Sequence, residues 1–275
     1  MASSDSTLNF QDLASRDRMT RAFRDEADHL FMLASEPGRW NDPTACTGWE
    51  LRDLVGHLVD ASDVFRSGFE RARSGLESPS PAAASGMAQA TDEAARSFRS
   101  VSRTELLARL EDGTLELLRL LESLTDAEWT GLPYPDPFFG PLPPTIVVAG
   151  ALGGNCVHGW DIQQGRGGPH ALRGDTVDLL VPFVDLLLWA TANTAGVEAP
   201  YAIGVRTSGP NGGEIRWDVS SEGVRYGPGQ LSDCAAVLDF DPATYVLTGY
   251  GRVNSGTVRG DLEAAARFRS LFVPI

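Results

Sequence analysis

Apolar side chains recur at helical spacing in several long windows of the chain. Met19, Phe23, Ala27, Leu30, Phe31 and Ala34 share one face of a helix over 17–35, which Pro37 and Gly38 bring to an end. Leu51, Leu54, Val55, Leu58, Val59, Ser62 and Phe65 make a second stripe, so 49–69 reads as an amphipathic helix. Thr47 and Glu50 stand before it with Thr-x-x-Glu spacing, which predicts a capping box at its start. Leu106, Leu107, Leu110, Leu117, Leu118 and Leu121 predict a long helix over 104–123. The mostly apolar, small-residue stretch 145–165 predicts another, and 175–195 a further apolar one.

Beyond residue 200 the character changes. Residues 201–207, 214–220, 223–226 and 235–240 look like short strands separated by Gly, Pro and Asn turns. Asp241 and Pro242 open a helix reaching about Tyr250, with proline at its first position, and 261–271 reads as a closing amphipathic helix. The Ser/Pro/Ala-rich stretch 74–84 reads as a flexible loop over the helices. Residues 132–144, LPYPDPFFGPLPP, are too proline-dense for a regular element and read as an ordered aromatic loop. The breakers Gly165-Arg166-Gly167-Gly168-Pro169 mark a junction. Helices first and a mixed pattern second predict an α+β protein of two domains, 1–170 and 171–275, with separate cores.

Composition narrows the function. The 275 residues are 42% hydrophobic, enough for two cores. Net charge is −14, from 37 acidic against 23 basic side chains, and every basic one is arginine. Nucleic acid and an anionic membrane both need a basic footprint, so neither is expected as the main partner. A local basic pocket for a small anion stays compatible with that charge, and the expected partner is a small molecule. Cys46, Cys156 and Cys234 are too few and too odd in number for a disulfide framework, so a cytoplasmic location is expected. Residues 1–7 are polar and the first ten are expected to fray; no run reaches the roughly 18–20 apolar residues of a membrane span. A monomer or homodimer is expected.

Two histidines carry the candidate chemistry. His57 lies to the side of its helical stripe, with Asp53 four residues before it and Asp60 three after. Such a residue reads equally as a boundary histidine paired with an aspartate and as a metal-facing imidazole held by a carboxylate behind it. His158 lies in the 145–165 helix, with Asp161 one turn later. Imidazoles from two helices of a bundle can converge on one metal in its interior. A catalytic zinc, however, takes three protein ligands and keeps a fourth position open. The positions one turn from His158 are Gly154 and Ile162, which cannot bind; Asn155 is a poor ligand, and Cys156 points to the opposite side. Trp160 and Asp161 read as mainly structural, Trp160 packing between the domains and Asp161 accepting hydrogen bonds near the cavity or from the bundle.

Residues 43–58, PTACTGWELRDLVGHL, resemble the Pro-Thr-x-Cys-x-Gly-Trp…Asp-Leu-x-x-His-Leu signature of the mycothiol-dependent maleylpyruvate isomerase family. Residues 157–162, VHGWDI, resemble its second signature, His-x-Trp-Asp, and AAVLDFDPATYVLTGYGR with GDLEAAARF is similar to its C-terminal domain. The resemblance implies a DinB-like four-helix bundle followed by a small α/β sterol-carrier-like domain. It implies His57 and His158 as catalytic residues and ligands of zinc or another divalent metal. It places Arg252 toward the active site, where it would bind the thiol cofactor mycothiol or the substrate. The family's acidic third ligand falls on Gly154, and Thr47 replaces a proline. Zinc lowers the pKa of a bound thiol, whose thiolate can add to an activated double bond or displace a leaving group. A nearby arginine would grip substrate carboxylates with its planar fork. The implied function is a mycothiol-dependent transferase or isomerase acting on a small molecule, expected in specialised metabolism. With glycine at 154, two alternatives stay open: a metal-independent enzyme on the same scaffold with a histidine as general acid or base, and a non-catalytic small-molecule binder.

Overall fold

A computed structural model describes residues 9–76, 80–82, 86–167 and 170–272. They divide into two compact units, one spanning Phe10–Arg173 and the other formed by the residues from Gly174 onward together with Asn9. The first contains α1 (Arg16–Ala34), α2 (Leu51–Arg73), α3 (Met87–Ser97), α4 (Arg103–Ser123), the short α5 (Asp126–Gly131) and α6 (Pro144–Arg166). The long helices α1, α2, α4 and α6 form the bundle, with α1 against α6 and α4, and α2 against α4. The apolar stripe of α2, Leu51 through Val59, meets Leu30, Leu33, Leu106, Leu110 and Ile162 in one core. Each such side chain stabilises the unit by about 1.5–3 kcal/mol when fully buried.

The start of α2 differs from the expected one. The chain is still turning at Thr47: Gly48 is left-handed at φ 82°, and the Trp49 N–H donates to Cys46 O at 3.0 Å. The N-cap is Glu50, whose N–H donates to Asp53 Oδ2 at 3.0 Å. The capping box therefore pairs Glu50 with Asp53 rather than Thr47 with Glu50. Asp53 is fully buried and also receives Arg99, Nε at 2.7 Å and Nη2 at 2.8 Å. Burial works to raise its carboxyl, but the Arg99 guanidinium and the Glu50 N–H outweigh that and hold it below the usual carboxylate range.

Three further elements lack the pattern that would foretell them. Helix α3 buries only Ala95, so no apolar stripe betrays it. Within the proline-dense stretch, β1 (Tyr134–Asp136) and β2 (Gly140–Leu142) form a small antiparallel hairpin, a correction to the expected irregular loop. Pro135 faces Pro141 across it, a pairing that suits the ladder positions requiring no N–H. Asp136 Oδ1 accepts the N–H groups of Phe138 and Phe139 at 2.9 and 2.8 Å and closes the turn. Of the 74–84 stretch, 74–76 and 80–82 are described, and Ala82 N–H donates to Pro137 O at 2.8 Å; the rest lies outside the described residues. So do Gly168 and Pro169 of the expected junction and residues 1–8 of the expected frayed end. Helix α6 starts with Pro144 at its first position and ends at Gly167, left-handed at φ 72°.

The second unit contains α7 (Gly174–Thr191), β3 (Tyr201–Thr207), β4 (Gly213–Ser220), β5 (Gly223–Pro228), β6 (Ala236–Phe240), α8 (Pro242–Gly249), β7 (Thr257–Gly260) and α9 (Leu262–Arg269). The strands form one sheet in the order β5-β4-β3-β6-β7. All neighbours are antiparallel except β3 and β6, where Val205 pairs with Leu238 in parallel register. The four-residue β7 is too short for alternation to show in sequence. Helix α7 buries Asp185, which accepts the Tyr245 O–H at 2.5 Å. The two units give the α+β class that the sequence predicts. Among the described residues no helix is long and apolar enough to cross a membrane.

Candidate functional site

Each histidine is delivered by one long bundle helix. His57 sits half-buried on α2 and His158 is 9% exposed on α6. Their ring centroids lie 5.0 Å apart with planes at 78°. Rings sharing one tetrahedral ion through one nitrogen each would stand about 5 Å apart, given metal–nitrogen distances of about 2.0–2.1 Å. On its other side His57 meets Trp49, centroids 5.4 Å apart. The indole is fixed by its Nε1–H, which donates to Asp92 Oδ1 at 2.8 Å. That bond and the neighbouring Arg96 hold the Asp92 carboxyl below its ordinary range. Asp53, the carboxylate one turn before His57, is committed through both oxygens to Arg99.

His158 is held from behind. Its Nδ1 lies 2.9 Å from Oδ2 of Asp161, which is fully buried. The same oxygen accepts the Cys46 S–H at 3.1 Å, and Cys46 Sγ is 3.9 Å from His158 Nδ1. Cys46 comes from the loop before α2, which the Ala45 N–H pins to Asp161 O at 3.0 Å. Gly165 allows that close approach, because a Cβ there would overlap the Pro43 carbonyl. Asp161, expected to accept hydrogen bonds near the cavity or from the bundle, meets both His158 and Cys46. Sequence reasoning gave Cys46 no role, although it lies inside the motif 43–58. Trp160 lies against His170, centroids 5.3 Å apart, within the helical unit.

Gly154, one turn before His158, has room around it: a Cβ there would meet nothing within 4 Å. It offers no donor, however. The zinc implied by resemblance needs three protein ligands, and His57 with His158 supply two. The residues therefore do not fit that three-ligand centre. Arg252 belongs to the second unit, where it follows the left-handed Gly251 (φ 68°). Its N–H donates to Leu247 O and its Nη1 to Tyr250 O, both at 2.8 Å. With Arg269, Asn254 and Tyr245 it lines a cavity of about 280 Å³ floored by Val205 and Phe240.

The chain is similar in sequence pattern or in fold to known proteins. The family model of the mycothiol maleylpyruvate isomerase N-terminal domain matches residues 19–163, more than half of the chain. A crystal structure of the mycothiol-dependent maleylpyruvate isomerase is 15% identical, at a TM-score of 0.61, covering 93% of this chain and 97% of that one. A histidine-to-alanine mutant of that isomerase matches with the same identity, coverage and TM-score. A colibactin self-resistance protein in complex with double-stranded DNA is 14% identical, covering 56% of this chain and 97% of that one at a TM-score of 0.48. No curated protein matches the chain.

Proposed function

Because the chain belongs to the mycothiol maleylpyruvate isomerase family through its N-terminal domain, we propose that it is a mycothiol-dependent isomerase or transferase of a small electrophilic molecule. The observation that carries this reading is the facing pair His57 and His158, with His158 held by a buried carboxylate. When bound, mycothiol supplies the nucleophilic sulfur. The donor set suits a thiol: with Nδ1–H donated to Asp161, the imidazole of His158 presents Nε2 as a proton acceptor. The buried carboxylate stabilises the imidazolium that forms, as a carboxylate does wherever it orients a catalytic histidine. His57, backed by Trp49, completes the wall opposite. Proton transfer at His158 needs no metal, so the missing donor at Gly154 leaves this chemistry intact. Arg252 is assigned to an anionic group of substrate or thiol through its planar fork. The net charge of −14 favours a small molecule over nucleic acid or membrane as partner.

The test incubates purified protein and mycothiol with maleylpyruvate and with other α,β-unsaturated or halogenated acids, following products by NMR. Turnover should require the thiol and fall about 10²–10⁴-fold in His158→Ala, the range for loss of a positioned acid–base group. Thiol-independent turnover, or full activity in His158→Ala, would sink the assignment.

A further inference from the structure

We propose that Cys46, His158 and Asp161 form a divalent-cation site distinct in its donors from the one implied by resemblance, binding through Sγ, Nδ1 and Oδ2. The three atoms are separated by 3.1 Å (S to O), 2.9 Å (N to O) and 3.9 Å (S to N). A tetrahedral zinc, with a sulfur at about 2.3 Å and nitrogen or oxygen at about 2.0–2.1 Å, would hold its donors about 3.3–3.6 Å apart. Small side-chain rotations therefore open the hydrogen-bonded cluster to the size of an ion. Thiolate, imidazole and carboxylate together suit a borderline-soft ion such as zinc, whereas magnesium and calcium prefer oxygen alone.

Electrostatics favours the same occupant. Asp161 is fully buried and His158 nearly so, and the thiol and imidazole both turn toward one carboxylate oxygen. A divalent ion would be neutralised by the Asp161 carboxylate and the Cys46 thiolate. Binding releases one proton, that of the thiol, while the imidazole proton passes from Nδ1 to Nε2 through solvent. The Nε2 atom then points away from the ion as a donor.

The loop that carries Cys46 is held in place before any ion arrives. The Ala45 N–H is bonded to Asp161 O at 3.0 Å, Cys46 N–H to Thr44 Oγ1 at 3.2 Å, and Thr44 N–H to Trp49 O at 3.0 Å. The site thus joins a fixed turn to the C-terminal half of a largely buried helix, the kind of support that positions metal ligands. Neither Gly154 nor His57 is needed for it. The inference goes beyond the reaction proposed above: with the ion on Nδ1, Nε2 carries a proton and cannot accept that of a thiol, so the ion-bound form is a resting form of the same histidine.

The experiment titrates the chelator-treated 275-residue chain with Co²⁺ in a phosphine reductant and reads absorption. One cobalt per chain should bind with a near-ultraviolet thiolate-to-cobalt charge-transfer band. Cys46→Ser should lose the band, His57→Ala should keep it, and excess Zn²⁺ should abolish it. In the wild-type chain, zinc should also slow alkylation of Cys46 but not of Cys234, mapped by peptide mass; this holds even if Cys46→Ser fails to fold. Cobalt bound without the band, as His57 and His158 alone would bind it, overturns the proposal. So does the absence of saturable binding. Neither readout depends on turnover, so failure here is distinct from failure of the thiol-dependent reaction.

Discussion

Replacing Asp185 by asparagine should stabilise the second unit at neutral and alkaline pH and flatten its pH dependence. Asp185 is 6% exposed on α7, with the Tyr245 O–H donating at 2.5 Å. Burial pushes its carboxyl up to about 7, and the hydrogen bond from Tyr245 offsets only part of that rise. An unfolded aspartate titrates near pH 4, so the folded pKa is raised by about 3 units, worth about 4 kcal/mol. The sign follows from the direction. The protonated acid's contribution is fully present below about pH 4, declines as the unfolded chain ionises, and is lost above about pH 7. Asparagine keeps an acceptor for the Tyr245 O–H and cannot ionise. Urea denaturation at pH 4, 6 and 8 should therefore show wild type losing up to about 4 kcal/mol relative to Asp185→Asn across that range. Parallel stability curves for the two proteins would refute the reasoning.

Gly154→Glu should place a carboxylate one turn before His158, where a Cβ meets nothing within 4 Å. Zinc analysis by mass spectrometry should show it gaining an ion that persists when Cys46 is also replaced by serine, and exchanging glycine out of a helix interior should add about 0.5–1 kcal/mol. Arg252→Lys keeps the charge but not the fork, so it should raise KM for an anionic substrate about tenfold or more while leaving the melting temperature nearly unchanged; an unchanged KM would remove Arg252 from the site.

Periodicity in the sequence was enough for the elements that bury a continuous face. The stripe of α2 from Leu51 to Val59 and the seven-residue strand β3 are legible because one side of each must leave water, and that repeats every 3.6 or 2 residues. The same holds for the two histidines, which sit in quotable motifs, and for the donor missing at Gly154. What the sequence could not decide is where side chains without a period find their partners. Helix α3 buries a single alanine, so only its packing on α2 reveals it. Asp53 lies one turn from His57 and could have oriented it, yet both its oxygens go to Arg99, 46 residues away. Cys46 and Asp161 are 115 residues apart and meet because a turn presses on α6 at Gly165. Hydrophobic burial is averaged over many residues and survives local ambiguity. A hydrogen bond needs donor and acceptor within about 3 Å, and that precision exists only once the helices and the turn have packed.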